Sequence, residues 1–161
     1  MLRPTTPDDT PALLALAEAT GVFPPHEVEG FGEVLEDYHD HEKDNYHLAS
    51  TWEEDGAITG FVYYAPADLT DGGTWDLWWI IVAKARQGRG LGTRLLELVE
   101  QSVQQEDGRQ LLIETSSLPR YEPTHRFYLK HGYRVIAHIP DYYAEGDDLI
   151  VYFKRLTSPV A

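Results

Sequence analysis

Apolar residues near the N-terminus recur at helical spacing. The segment Thr6-Pro7-Asp8-Asp9 places a capping residue before a proline, with an acid three residues after the cap. An apolar set follows it and predicts a first helix over residues 7–19: Leu13, Leu14, Leu16 and Ala17. After Pro24-Pro25, a second set at three- and four-residue steps predicts an amphipathic helix: Val28, Phe31, Val34, Leu35 and Tyr38.

From residue 46 the period of the pattern changes to two. Residues 46–52 and 58–64 alternate in polarity, and the pair Asp55-Gly56 between them is typical of a tight hairpin turn. This predicts two antiparallel strands. Residues 74–82 are almost continuously apolar, which predicts a central strand covered on both faces.

A strand–helix–strand unit and a short late helix complete the pattern. Apolar residues keep helical spacing from Leu91 to about Gln105, and Gly108 ends that helix before a strand over residues 110–115. Pro123 begins a short helix over residues 124–131 that Gly132 closes. Residues 133–139 and 149–156 predict two last strands, joined by a polar connection over residues 141–148.

The segment between the central strand and the third helix is rich in glycine. Glycines at positions 88, 90 and 92 remove side chains that would keep an anion away from the backbone. The helix that follows offers unpaired N–H groups and the positive end of its dipole. Arg86 and Arg89 add local positive charge. The loop therefore predicts a site for the pyrophosphate of a nucleotide.

Glycine-rich loops also occur in other classes of nucleotide-binding protein and in simple turns. A Walker-type P-loop is excluded, because no lysine follows the glycines. The dinucleotide fingerprint needs a further glycine or alanine at a position that is here Thr93 or Leu95. Glu114 does lie about where a ribose-binding acid is expected, so a dinucleotide-binding protein stays an alternative. A turn that binds nothing is a further alternative.

Composition narrows the class of protein. The chain has 161 residues, of which 42% are apolar, and this size predicts one domain over residues 1–161. Acidic residues outnumber basic ones by 27 to 13, so we expect neither nucleic acid nor a membrane surface as a partner. There is no cysteine, which excludes disulfides and thiolate metal sites. No segment has the length of a membrane span or the form of a signal peptide, and the expected location is cytoplasmic.

Two motifs resemble those of the GNAT superfamily of N-acetyltransferases. Gln87-Gly88-Arg89-Gly90-Leu91-Gly92 is similar to the family's Gln/Arg-x-x-Gly-x-Gly/Ala. The later segment Phe127-Tyr128-Leu129-Lys130-His131-Gly132-Tyr133 is similar to its aromatic-Tyr-x-x-x-Gly-aromatic signature. Many members carry an asparagine in the loop before the last helix, but residues 118–123 of this chain include no asparagine.

The resemblance implies a fold and a cofactor. The fold is α/β, a GNAT-like mixed and mostly antiparallel sheet of six or seven strands with helices on both faces. Its fourth and fifth strands splay apart to admit acetyl-CoA as co-substrate. Backbone groups of Ile80, Ile81 and Val82 are implied to pair with the pantetheine arm. The pyrophosphate is implied to lie on the amides of Gln87, Gly88, Arg89, Gly90, Leu91, Gly92 and Thr93.

Direct acetyl transfer to an amine needs a base and an acid. By resemblance, Tyr128 protonates the departing sulfur, and a phenol with a reference pKa of about 10 holds its proton at neutral pH. By resemblance to members that place a carboxylate at this point of the strand, six residues before Val82, Asp76 is the candidate base. An acid on a mostly apolar strand is desolvated, which raises its pKa. Glu114 is the rival base. His125 and His131 are further candidates, although a lone histidine on a short helix is more often only a surface residue.

The sequence says less about which residues bind the amine that accepts the acetyl group. Trp78, Tyr142 and Tyr143, with acids of the 141–148 segment, would suit a cationic amine. We therefore expect an acetyltransferase acting on a primary amine of a small molecule or peptide. A non-catalytic acyl-CoA-binding sensor or assembly module is an alternative. Homodimers are common in the family that the chain resembles.

Overall fold

The computed structural model describes residues 1–157. Its strands are β1 (Leu2–Pro4), β2 (Leu48–Glu54), β3 (Ala57–Pro66), β4 (Thr74–Val82), β5 (Gln110–Ser116), β6 (Arg134–Ala144) and β7 (Asp147–Arg155). Its helices are α1 (Thr10–Ala19), α2 (Pro25–Asp40), α3 (Leu91–Gln105) and α4 (Glu122–Lys130). Short 3₁₀ turns lie at Pro7–Asp9, Glu42–Asn45, Lys84–Arg86 and Pro119–Tyr121.

The seven strands form one mixed sheet in the order β1-β2-β3-β4-β5-β7-β6. β4 and β5 run parallel, whereas the pairs β1–β2, β2–β3, β5–β7 and β6–β7 are antiparallel. The parallel register joins residues 74–77 to residues 110–113, although β4 continues to Val82 and β5 to Ser116. The predicted α/β fold, with a mostly antiparallel sheet and splayed fourth and fifth strands, is therefore confirmed.

Contacts along the chain group it into two compact units, of which the first contains Met1–Ala65 and Trp79–Val99. Its core forms where α1 and α2 pack on one face of β3. Phe31 is fully buried there, and its ring lies 4.8 Å from that of Trp79 and 5.2 Å from that of Phe61. The buried members of this core are Leu13, Leu16, Ala17, Phe31, Leu35, Tyr38, Ala49, Phe61, Tyr63 and Ile81.

Helix α3 covers the other face of β3 in this unit. A side chain at Gly60 would place its Cβ 2.9 Å from Cδ1 of Leu95, which is closer than two carbon atoms can pack. Because successive strand residues point to opposite faces, Gly60 faces α3 while Phe61 faces α1 and α2. Helices thus lie on both faces of the strand, as predicted.

The second unit contains Pro66–Trp78 and the chain from Glu100 onward. In it β5 pairs with β7, and β7 with the edge strand β6. Its buried residues include three tyrosines with a set of aliphatic side chains: Leu77, Val103, Leu111, Ile113, Tyr128, Tyr133, Leu149 and Tyr152. Helix α4 contributes Tyr128 to this core, so the packing of unit two fixes the helix that carries it.

Two sequence predictions are corrected. The connection predicted over residues 141–148 is wrong, because β6 extends to Ala144, β7 begins at Asp147 and the turn is only Glu145-Gly146. Between Ile139 and Ala144 the register shifts, so residues 140–143 lie opposite Asp148 alone. This bulge interrupts the alternation by which a strand is recognised.

The second correction concerns β4, which was expected to be covered on both faces. Trp75 and Leu77 are buried, but Trp78 between them and the strand end is 50% exposed. An apolar run does not reveal whether each face is covered by a helix.

The prediction of a single domain stays a prediction. Within residues 1–157, no helix combines the length and the apolar character that crossing a bilayer requires.

Candidate active site

The glycine loop lies in the first unit, between the end of β4 and the start of α3. Gly88 and Gly90 have positive φ angles of 72° and 87°, in the region that favours glycine. A Cβ built at either position would meet no atom within 4 Å. The loop therefore needs glycine for its backbone shape, and the space above it is open.

The loop ends at a helix N-terminus. The hydrogen bond from Arg94 N–H to Gly90 C=O, 3.0 Å long, is a regular bond of the first turn of α3. The backbone N–H groups of Leu91 and Gly92 precede it and lie at the positive end of the helix dipole. Such an end, approached over glycines, is suited to binding a phosphate group.

The side chains around the loop are partly engaged. Arg86 forms an ion pair with Glu54, with Nη2 2.8 Å from Oε2, while Arg89 is exposed. The Gln87 side-chain amide donates to the Val82 carbonyl at 3.2 Å and so ties the loop to the end of β4. The side chain of Ile81 is buried in the core, whereas Ile80 and Val82 are half-buried. Any role of Ile81 in ligand binding would thus belong to its backbone.

The two candidate bases come together in the second unit. Asp76 pairs in register with Leu112, and Glu114 lies two residues further along β5, on the same face of the parallel pair. Asp76 is half-buried and Glu114 is exposed. Burial, together with the like charges of Glu114 and Asp68, raises the pKa of Asp76 to about 6. The predicted desolvation of this carboxyl is confirmed.

Tyr128 lies within the aromatic core of the same unit. It is 2% exposed, and its ring lies 5.5 Å from Phe127, 5.6 Å from Tyr152 and 5.8 Å from Tyr133. Burial, with a smaller contribution from Tyr152, raises its pKa above the ordinary value. The hydroxyl group therefore keeps its proton throughout the neutral pH range.

The segment that carries these residues matches the model of a known protein family. The model of the Acetyltransferase (GNAT) family matches residues 13–133, a segment that includes both the glycine loop and Tyr128. The chain belongs to the GNAT family of acetyltransferases. The resemblance carried by the two motifs is thereby confirmed, and the protein is an acyltransferase that uses acetyl-CoA as co-substrate.

Several solved structures share the fold of this acetyltransferase. A protein from Desulfovibrio desulfuricans assigned to the GNAT family is 34% identical, with a TM-score of 0.91 and coverage of 98% of this chain and 99% of that one. An aminoglycoside 6′-acetyltransferase type Ii is 21% identical over 99% of both chains, with a TM-score of 0.81. An aminoglycoside 6′-N-acetyltransferase complexed with coenzyme A is 18% identical over 100% and 99%, with a TM-score of 0.77. No curated protein matches the chain.

The aromatic residues expected on the acceptor side of the acetyltransferase lie in two places. Trp78 is on β4, next but one to Asp76 on the strand. Tyr142 and Tyr143 lie in the bulge of β6, about half exposed, with their rings 5.0 Å apart in an edge-on arrangement. Asp148 holds this bulge: it lies 2.6 Å from His138 Nε2 and accepts a 2.9 Å hydrogen bond from the Asp141 amide.

The sequence did not predict the hydrogen-bonded pair of His125 and Tyr152. His125, expected at the surface, is half-buried, with Nδ1 2.6 Å from the Tyr152 hydroxyl and Nε2 2.9 Å from the Ser116 carbonyl. Tyr152 was not singled out. The available signal was a tyrosine among apolar residues of a buried strand, because a buried phenol generally needs a hydrogen-bond partner.

Proposed function

We propose that this acetyltransferase transfers the acetyl group of acetyl-CoA directly to a primary amine of a cationic small molecule or a peptide. The observation that supports this most is the half-buried carboxyl of Asp76 beside Glu114 and two residues from the exposed ring of Trp78. Carboxylates near an aromatic face suit a positively charged amine. The excess of acidic residues attracts the same class of acceptor.

The co-substrate is proposed to lie along the end of β4 and on the glycine loop. Backbone groups of Ile80, Ile81 and Val82 would hold the pantetheine arm. The amides of residues 87–93 would hold the pyrophosphate, supported by the open, positive-φ backbone of Gly88 and Gly90. Arg89, exposed beside the loop, would add positive charge.

Asp76 is proposed to remove the proton from the amine. An ammonium ion has no lone pair, so it must lose a proton before it can attack the thioester. With a pKa of about 6, Asp76 is mostly ionised at pH 7 and yet more basic than an ordinary carboxylate. Glu114 then keeps the role of raising this pKa and attracting the cation, rather than that of the base.

Tyr128 is proposed to complete the reaction. The neutral amine nitrogen forms a bond to the acetyl carbon, the carbon–sulfur bond breaks, and the Tyr128 hydroxyl donates its proton to the leaving thiolate. The nitrogen then releases its second proton to solvent, and solvent returns a proton to the Tyr128 oxygen. The products are the N-acetylated amine and CoA with a free thiol. Because burial raises the pKa of Tyr128, the group is protonated when the thiolate forms.

The acceptor is best found with a panel of amines. Spermidine, lysine, kanamycin and a peptide with a free N-terminus are offered with acetyl-CoA, and release of the CoA thiol is followed. Kanamycin represents the aminoglycosides, on which two structurally similar enzymes act. We expect at least one cationic amine to accelerate thiol release. Binding of CoA without transfer to any amine would instead favour a non-catalytic acyl-CoA sensor.

The role of Tyr128 is tested with the same assay. Tyr128→Phe should lower turnover at least about tenfold, a lower bound set below the roughly hundredfold with which the usual range for a general acid begins, with little change in the affinity for CoA. Tyr63→Phe is the matched control, because it removes the hydroxyl of an equally buried tyrosine in the first unit. If Tyr128→Phe turns over as fast as the control, Tyr128 is not the acid.

The homodimer and the cytoplasmic location stay predictions. Light scattering would measure the oligomeric state.

A further inference from the structure

Tyr128 packs against a tyrosine whose own hydroxyl is held in place. The Tyr152 ring lies 5.6 Å from that of Tyr128, and its hydroxyl lies 2.6 Å from Nδ1 of His125. The other ring nitrogen of His125, Nε2, lies 2.9 Å from the carbonyl oxygen of Ser116. Three groups are therefore linked in a chain that ends at the backbone of β5.

The chemistry of the partners fixes the direction of each hydrogen bond. A carbonyl oxygen only accepts, so Nε2 of His125 carries the proton and donates to Ser116. In the neutral ring Nδ1 then has a lone pair and accepts the proton of the Tyr152 hydroxyl. With both bonds made, the His125 ring cannot turn without losing one of them, and the bond to Nδ1 fixes the position of the Tyr152 hydroxyl oxygen.

This chain joins the helix that carries Tyr128 to two strands. His125 and Tyr128 are three residues apart on α4 and so lie on neighbouring positions of the helix surface. Tyr152 is on β7, and Ser116 is the last residue of β5. The position of the Tyr128 ring is thereby coupled to the end of the sheet.

We infer that His125 and Tyr152 are positioning residues, which hold the Tyr128 ring so that its hydroxyl is aimed for proton donation. This inference rests on the proposed role of Tyr128 as the acid. A proton donor works only when donor and acceptor are within hydrogen-bond reach, and a displacement of about 1 Å can lower a rate by about a hundredfold. Neither His125 nor Tyr152 needs to contact a substrate for this role.

A double-mutant cycle tests whether the two residues act through Tyr128. Turnover is measured as CoA release from acetyl-CoA, with the most reactive amine of the panel and also as slow hydrolysis without amine. His125→Ala and Tyr152→Phe should each lower kcat about tenfold, with the KM for acetyl-CoA within about twofold of its original value. In the Tyr128→Phe background the same changes should cost less than about twofold.

Two further variants separate the bonds of His125. His125→Asn places an amide oxygen near the position of Nδ1 and can still accept from Tyr152, whereas His125→Gln reaches the position of Nε2 and can only keep the bond to Ser116. We expect the asparagine variant to retain more of the kcat than the glutamine variant. His47→Ala is the control: its Nδ1 lies 2.6 Å from the Tyr63 hydroxyl in the first unit, so a similar bond is lost away from Tyr128.

A measurement without catalysis gives an independent answer. Ring-flip rates of Tyr128, observed by NMR with labelled tyrosine, should increase in His125→Ala and Tyr152→Phe and stay unchanged in His47→Ala. The inference is overturned if these rates do not change, or if kcat losses multiply with that of Tyr128→Phe. Full turnover of Tyr128→Phe would instead remove the proposed acid, and the ring-flip rates alone then decide whether the Tyr128 ring is held.

Discussion

Asp76 and Glu114 lie on one face of the parallel strands β4 and β5, where their like charges repel. Burial of Asp76 is the larger cause of its raised pKa, and Glu114 and then Asp68 add to it. With its pKa raised to about 6, Asp76 is suited to exchange a proton near neutral pH.

The first prediction concerns the pH dependence of acetyl transfer. As Asp76 ionises, kcat/KM should rise with an apparent pKa near 6. Asp76→Asn should remove this rise and lower kcat/KM at neutral pH by about a hundredfold, the low end of the usual range for a general base. Glu114→Gln should move the midpoint to lower pH, since it removes a like charge. A midpoint that stays at the same pH in Glu114→Gln would contradict the coupling of the two groups.

The second prediction is that the same carboxyl destabilises the folded protein at neutral pH. The folded pKa of Asp76 lies above the unfolded value of 3.8, so the folded state binds the proton more tightly. Its contribution to the free energy of unfolding falls as pH rises from about 4 to about 6 and stays low above that. Asp76→Asn should therefore raise stability at pH 7, by at most about 3 kcal/mol, and leave it nearly unchanged at pH 4. Urea unfolding at both pH values measures this difference.

The third prediction concerns the glycine loop. Gly90→Glu places a bulky, negatively charged side chain in the open space over the loop, and we expect CoA binding to weaken at least about a hundredfold by like-charge repulsion and exclusion. Gly56→Glu is the matched control, because Gly56 also has a positive φ and open space around its Cβ position. Both variants should lose similar stability, about 1–2 kcal/mol for the left-handed backbone. Calorimetric titration with CoA that gives equal affinities for both would exclude the loop as the pyrophosphate site.

Local pattern was enough to predict the strand, loop and helix on which we propose that the co-substrate lies. The bounds of β4 and α3 agree with the structure because an apolar strand, three glycines and a helical repeat follow one another without interruption. The raised pKa of Asp76 was also predictable, since a carboxyl within an apolar strand must be desolvated. These features depend on neighbours in the sequence.

Features that depend on distant neighbours could not be obtained in this way. The His125–Tyr152 bond joins residues of a helix and a strand whose register no local pattern specifies. The bulge of β6 includes Asp141 with a φ of 53°, a conformation that L residues seldom adopt and that tertiary contacts with Asp148 stabilise. The alternation around Tyr142 and Tyr143 is therefore lost, and the sequence was interpreted as a loop.

The last prediction concerns the N-terminal ion pair. Arg3 donates two hydrogen bonds of 2.8 Å to buried Asp9, and the bond with Arg3 is the main reason that the pKa of Asp9 falls to about 2. Because the folded pKa lies below 3.8, the stabilisation is complete above that value and is lost as pH falls towards 2. Asp9→Asn should cost about 2 kcal/mol at pH 7 and progressively less below pH 4. Glu53→Gln, which breaks the more exposed contact of Arg3, should cost less than about 1 kcal/mol. Equal losses in urea unfolding would contradict this ranking.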